Sequence, residues 1–244
     1  SIYYANSIEN VNAGSGDDTI TCSSVSNVIN CGAGADSIVG IATGDTINAG
    51  DGNDGFSPTN TSFTLIDGGA GSDTLYLYHG YVANSSGNLS GYVDLRTFTD
   101  AQLTNIENID ISIDGVATSL IVTKDSINNL EGTTFDVDGD GDQDNVVYIT
   151  ASTNDKILIF PDQGWAYAGS NSTYYFYSID NNQTWFAWNK TAGNILYIFN
   201  SGSPRPVPDD YSDTNPDNDT IPIGPIDDDG SIPDPTTPDG EDNP

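Results

Sequence analysis

The sequence predicts an all-β chain: a parallel β-roll or β-helix with stacked turns, continuing into a β-rich, sandwich-like module and ending in an extended tail. Three observations carry that prediction. Glycine- and aspartate-rich windows recur on a nine-residue beat between residues 9 and 75. After Leu75, short runs of β-branched and aromatic residues alternate with Asn, Gly, Ser and Asp, which is the texture of strands and turns. From residue 201 onward lie ten of the twelve prolines and twelve of the acids, a composition that collapses poorly. These changes divide the chain into 1–75, 76–200 and 201–244.

Four windows set the beat: AGSGDDTI (Ala13 to Ile20), CGAGADSI (Cys31 to Ile38), AGDGNDGF (Ala49 to Phe56) and GGAGSDTL (Gly68 to Leu75). Each is a form of Gly-Gly-x-Gly-x-Asp-x-(large apolar), the calcium-binding nonapeptide of parallel β-helices. Asp18, Asp36, Asp54 and Asp73 recur on every second beat, with one residue inserted before the last. Weaker copies lie in phase between them: Glu9 with Val11, Asn27 with Ile29, and Asp45 with Ile47. If each nonapeptide makes a glycine turn and then a strand with one inward apolar residue, two of them close a flattened coil. Strong and weak copies then fall on opposite edges.

The turns need glycine because they use positive φ and bring carbonyls close to an ion. Gly14, Gly16, Gly32, Gly34, Gly50, Gly52, Gly69 and Gly71 fill those places. Calcium takes about six to eight oxygens, from carboxylates and carbonyls alike, and stacked turns supply both. The spacing therefore predicts calcium between neighbouring members of the Asp18, Asp36, Asp54, Asp73 file, three sites in all. Binding at the edge of Glu9, Asn27 and Asp45 is expected to be weaker or absent.

The windows resemble the RTX (haemolysin-type) family of calcium-binding nonapeptide repeats, whose fold is the parallel β-roll. The resemblance implies Ca2+ as cofactor. The repeats also point to the outside of the cell, where free calcium is high.

Thirty-six acidic residues face five basic ones, a formal charge of −31. Nucleic acids and anionic membranes need cationic footprints, so neither is an expected partner. Bound calcium would offset part of this charge and link folding to metal by mass action. Only four of the acids are glutamates, and aspartate beside glycine fits short-armed calcium loops; a saline habitat is the alternative. No apolar run approaches the ~20 residues of a membrane helix. The lack of methionine is expected of a processed product or an excerpt. Cys22 and Cys31 share the phase of the repeat, which in an ideal coil sets them at opposite edges, beyond the ~7 Å between Cα atoms that a disulfide tolerates. The segment CSSVSN has lost its glycines, so the turn can relax and a disulfide stays open.

Residues 1–8 are expected to form a capping strand, and residues 57–64 an outward loop. TDAQLTNIENIDI resembles the lead-in strand found after RTX repeats in large bacterial surface proteins, with Leu103, Ile106, Ile109, Ile111 and Ile113 continuing the core without metal. A short helical turn is expected over Lys124 to Leu130. DVDGDGDQD holds a second acidic cluster, Asp136, Asp138, Asp140, Asp142 and Asp144. Val147 stands where an EF-hand has its bidentate glutamate, so a lone calcium loop is expected there rather than an EF-hand. Strands then follow to Asn200, with Asp180 to Gln183 as a hairpin tip. By layout, residues 76–200 resemble the terminal module of RTX-containing adhesins.

Trp165, Trp185 and Trp188, with Tyr174, Tyr175 and Tyr177, invite a sugar-stacking reading, but aromatics in strands normally fill cores, and core is the expectation. The tail, with Ile221, Ile223 and Ile226 as an apolar patch, is either a linker or a strand laid along a second subunit. Sequons at Asn60, Asn84, Asn88, Asn171, Asn182, Asn189 and Asn218 permit glycosylation. His79 has no obvious partner, and no nucleophile elbow, zinc helix or phosphate loop occurs, so an enzyme is not expected. Three functions remain: a calcium-stabilised extracellular structural or adhesive subunit that associates with itself, a carbohydrate-binding module, or the carrier region of a larger secreted enzyme.

Overall fold

The computed structural model describes residues 2–3, 9–78, 92–99, 101–113, 115–130, 133–135, 144–159, 165–179, 184–189 and 195–197. The first nine strands are β1 (Ile2–Tyr3), β2 (Asn10–Ser15), β3 (Thr19–Thr21), β4 (Val28–Ala33), β5 (Ser37–Ile41), β6 (Thr46–Asp51), β7 (Gly55–Pro58), β8 (Leu65–Ala70) and β9 (Thr74–Tyr76). They alternate between two sheets whose neighbours are all parallel. Ile20 stands opposite Ile38, and Ile38 opposite Phe56, in the long sheet. In the short sheet Val11 stands opposite Ile29, and Ile29 opposite Ile47. Each step spans two nonapeptides, the expected coil.

Alternation along the strand decides which residues enter the core. In β4, Ile29 and Cys31 are buried while Asn30 between them is exposed. The buried residues stack into columns: Ile20, Ile38, Phe56, Leu75, Ile109 and Ile149 in the long sheet, and Val11, Ile29, Ile47, Ile66 and Leu103 in the short one. Burying each such side chain contributes roughly 1.5–3 kcal/mol. Outside the short sheet Asn30 Nδ2 donates to Asn12 Oδ1 at 2.9 Å, and Asn48 Nδ2 to Asn30 Oδ1 at 3.0 Å.

The extra residue before Asp73 is taken up between Pro58, opposite Ile41, and Leu65, opposite Thr46. The Asp45 carbonyl accepts from both Thr64 N (2.7 Å) and Leu65 N (3.2 Å). The expected outward loop at 57–64 is partly drawn inward: Ser57 and Pro58 belong to β7, and Phe63 is buried against Phe98 with ring centroids 5.8 Å apart. An apolar ring in an otherwise polar loop has no favourable place but the core. Of the capping segment, β1 adds a rung beside β3; residues 4–8 lie outside the described residues.

Beyond residue 76 come β10 (Tyr92–Asp94), β11 (Leu103–Thr104), β12 (Asn108–Asp110), β13 (Ser119–Val122), helix α1 (Lys124–Asn128), β14 (Thr133–Phe135), β15 (Asp144–Thr150), β16 (Lys156–Ile159), β17 (Ala166–Ser170), β18 (Tyr174–Ile179), β19 (Thr184–Asn189) and β20 (Ile195–Tyr197). The chain is all-β, as expected, and among the described residues this half pairs mostly in parallel rather than as the expected sandwich. β12, β15 and β19 extend the long sheet in parallel from β9, and β10, β13, β16 and β20 form a further parallel sheet. Along this parallel path the coil lengthens: the rung after Thr74 is Asn108, and the rung after Asn108 is Tyr148. Beyond β19 the long sheet continues antiparallel through β18 to β17, and β14 pairs antiparallel with β15. No break in the sheet marks residue 75. Ile106 N donates to Leu130 O at 2.8 Å, which sets the end of the α1 segment against the coil before it.

Four of the five apolar residues expected to prolong the core do so, whereas Ile113 is 38% exposed. Ile113 follows the last rung position of its strand, where the chain turns out. The helical turn appears as α1, with Thr123 and Ser126 in a reciprocal capping box. The hairpin tip 180–183 lies outside the described residues, but its flanking strands pair antiparallel with Ile179 opposite Thr184. Trp165, Trp185, Trp188 and Tyr177 are buried, as the core reading requires, but Tyr174 is half-buried and Tyr175 is 39% exposed, on the outward face of β18, so the core expectation fails for Tyr175. Trp165 packs edge-on to Phe186 at 4.9 Å, and Tyr177 stacks on Phe186 at 5.1 Å. His79 and residues 201–244 lie outside the described residues.

Replacing Ile38 by Ala removes one step of the long column. The variant is expected to lose about 2–5 kcal/mol of unfolding free energy, measured by urea denaturation; a cost below about 1 kcal/mol would contradict the stacked core.

Candidate metal site: a file of buried carboxylates

Each strong repeat leaves a strand of the short sheet, turns through two glycines and enters the long sheet one residue after its aspartate. Because the coils are in register, the aspartates stack. The backbone N–H of Asp18 donates to Asp36 Oδ1 at 2.7 Å, that of Asp36 to Asp54 Oδ1 at 2.8 Å, and that of Asp54 to Asp73 Oδ1 at 2.7 Å. The file does not stop there: the N–H of Asp73 donates to Glu107 Oε2 at 2.7 Å. Asp36, Asp54, Asp73 and Glu107 are all buried, and Asp18 at the N-terminal end is half-buried.

One oxygen of each aspartate from Asp36 to Asp73 is thus satisfied and the other is not. Asp36 Oδ2, Asp54 Oδ2 and Asp73 Oδ2 are buried with no hydrogen-bond partner. An unpaired buried polar atom costs about 1–3 kcal/mol, and more when charged. Carboxylates about 5 Å apart repel by roughly 3 kcal/mol at an effective dielectric near 20. Burial accordingly pushes the Asp36, Asp54 and Glu107 carboxyls above their ordinary range, against the lowering by backbone N–H groups. Asp73 is pushed up to about 7 by burial, with the Glu107, Asp54 and Asp67 charges adding to it.

The glycines form two columns beside the file. Gly14, Gly32, Gly50 and Gly69 stack in one and Gly16, Gly34, Gly52 and Gly71 in the other, all at positive φ. Gly50 (φ 108°) shows why no other residue serves: a Cβ there would collide with the Gly32 carbonyl oxygen of the coil below. Bare backbone beside the carboxylates is the cradle that an oxygen-ligated cation needs.

The opposite edge is built differently. Asp45, also buried, accepts from Asn27 N at 2.7 Å on Oδ1 and from Ala42 N at 2.7 Å on Oδ2, so both its oxygens are taken by amides. Asn27 Oδ1 accepts from Ser23 N at 2.9 Å, and Glu9 is exposed. Asp155 repeats the Asp45 arrangement in the second half, accepting from Thr118 N at 2.7 Å and Ser152 N at 2.6 Å. These acids act as backbone caps.

Among the described residues, no three His, Cys, Asp or Glu side chains converge on one centre. The file is linear, and any cation in it takes two side-chain carboxylates at most, with carbonyls and water for the rest. Within that limit the donor set fits calcium: hard oxygens only, negative and lacking donors. Of the second acidic cluster, Asp136, Asp138, Asp140 and Asp142 lie outside the described residues; Asp144 is buried in β15 opposite Phe135. Cys22 and Cys31 are free thiols, both pushed up to about 12, chiefly by burial. Among the sequons, Asn189 is engaged on both sides of its amide by the Ala151 backbone, at 2.9 and 3.0 Å.

Glu107, a member of the file, and Asp155, a backbone cap, are the buried acids that the glycine motif misses. Their signal was present in simpler form, an acid two residues before a core residue: Asp73 with Leu75, Glu107 with Ile109, Asp155 with Ile157. Comparison of the chain with protein-family models, curated proteins and solved structures found no match.

The raised carboxyls fix the sign of a pH effect. Where the folded pKa exceeds the unfolded one of about 4, the native state holds more protons and its stability falls as pH rises. The metal-free protein is therefore expected to melt at a lower temperature at pH 8 than at pH 5, with most of the change complete once Asp73, at about 7, has ionised. Asp73→Asn should flatten that dependence in a calorimetric pH series; an equally steep slope in the variant would refute the assignment.

Proposed function

We propose that this chain is a calcium-stabilised extracellular structural or adhesive protein, a surface or filament-forming subunit of RTX type. The observation that carries the reading is the set of three buried carboxylate oxygens without a donor, stacked coil over coil beside glycine columns. Asp18, Asp36, Asp54 and Asp73 would hold Ca2+ between successive coils, with backbone carbonyls and water completing each shell. The ion would supply the positive charge that the file lacks and hold neighbouring coils in register. An acidic chain of net charge −31 then becomes rigid only where calcium is plentiful. The reading contains no catalytic step. The carbohydrate-binding alternative loses its tryptophans to the core, since Trp165, Trp185 and Trp188 are each 2% exposed. For self-association we assign the contact to the tail, residues 201–244.

Calcium should raise the melting temperature of chelator-treated protein, since a ligand at 100 times its Kd stabilises by about 2.7 kcal/mol per site. Asp36→Asn keeps the acceptor for Asp18 N–H but removes a charge shared by two sites; calcium affinity by titration calorimetry is expected to fall at least tenfold, a margin of about 1.4 kcal/mol. A melting temperature indifferent to calcium and chelator would remove the basis of the reading. Deleting residues 201–244 should abolish higher-order species in analytical ultracentrifugation; an unchanged distribution would return the tail to the role of linker.

A further inference from the structure

The carboxylate file crosses a place where the repeat has already ended. Asp73 and Glu107 are separated by 34 positions, against 18 or 19 for the earlier members. Between them the chain enters the third sheet through β10, returns by β11 to the rung above Ile66 and Asp67, and reaches the rung above Thr74 in β12. The longer arm of a glutamate nevertheless meets the Asp73 N–H at 2.7 Å, in the position an aspartate holds in every coil before it.

We propose that Glu107, Asp73 and the backbone carbonyl of Asn105 form a further divalent-cation site, of calcium type, that fastens the glycine-repeat coils to the first long coil. This rests on the calcium reading of the file and extends it to residues outside the glycine motif. The independent observation is Asp73 itself: its side chain is fully buried, and Oδ2 has no partner. That oxygen has a defined direction. A Cβ built on Gly68 would lie 2.5 Å from Asp73 Oδ2 and would collide with the carbonyl oxygen of Asn105. The two oxygens therefore meet over the bare face of Gly68, one from each of two successive coils.

Asn105 is held for this. Its backbone is left-handed, φ 54°, the only such non-glycine among the described residues, and its Nδ2 donates to Asp67 Oδ1 at 2.7 Å. Two carboxylates and a carbonyl are hard oxygen donors, and none of them is a nitrogen or sulfur that would select a softer metal. Above Glu107 the file closes, because the next residue in that position is the buried Val147. Glu107 thus faces one ion, whereas Asp36 and Asp54 each stand between two.

The test counts calcium on the full chain. Metal-free protein is titrated with calcium chloride by calorimetry, and bound calcium per chain is measured after gel filtration, for the unmodified chain, Glu107→Gln and Asp36→Asn. Glu107→Gln is expected to bind one calcium fewer per chain, with the remaining affinities within twofold. Asp36→Asn should instead weaken the sites on both of its sides. If the unmodified chain binds no calcium, the file reading fails and this site with it. If it binds calcium and Glu107→Gln matches it in number and affinity, the Glu107 site alone is overturned. Circular dichroism in saturating calcium checks the fold of the variants. Should Glu107→Gln lose its β signal, Glu107→Asp, with the shorter arm, is expected to fold and to weaken one site at least tenfold; unchanged affinities there would equally overturn the proposal.

Discussion

Parallel pairing in strict register is the constraint from which the rest follows. Each residue of a coil lies about 4.8 Å from its counterpart in the next, so like is placed on like along the whole axis. For Ile20, Ile38 and Phe56 this produces a dry column in which every side chain has an apolar neighbour on either side. For Asn12, Asn30 and Asn48 it produces an amide ladder, because an amide is both donor and acceptor. A carboxylate is acceptor only. Stacked carboxylates therefore have to find their donors elsewhere, and that need shapes both edges of the coil.

The two edges answer it in different ways. At Asp45, and likewise at Asp155 in the turn before β16, an N–H three residues back reaches the second oxygen, and the carboxylate is fully used by backbone. At Asp36, Asp54 and Asp73 the turn runs through two glycines at positive φ, the second oxygen has no N–H, and burial raises the carboxyl pKa. One edge is self-sufficient and the other is poised for protons or cations. That difference comes from turn geometry, since the residue type is the same.

Where coil length is constant, the sequence shows the fold directly. The recurrence of aspartates and apolar residues at every second nonapeptide is enough to place Asp18, Asp36, Asp54 and Asp73 in one file. Past Leu75 the coils lengthen unequally, from Thr74 to Asn108 and then from Asn108 to Tyr148, and unequal coils leave no period to read. Strands were still visible there as apolar runs, but their parallel partners, far off in sequence, were not. Glu107 was obscured for the same reason: it keeps the rung position of an aspartate without the glycines that announce one. Phe63 shows the converse, a loop whose polarity hid the one ring that goes inside.

The Asp45 carbonyl, shared between the N–H groups of Thr64 and Leu65, has a consequence for how such a chain can lengthen. A carbonyl has two lone pairs, so an added residue on that side is taken up locally and the rungs above stay in step. On the file side each carboxylate meets a single N–H through one oxygen, and an added residue there would shift every acid beyond it out of line. Growth by small insertion is thus directed to one flank of the molecule, leaving the other free to keep its spacing while the chain around it diversifies.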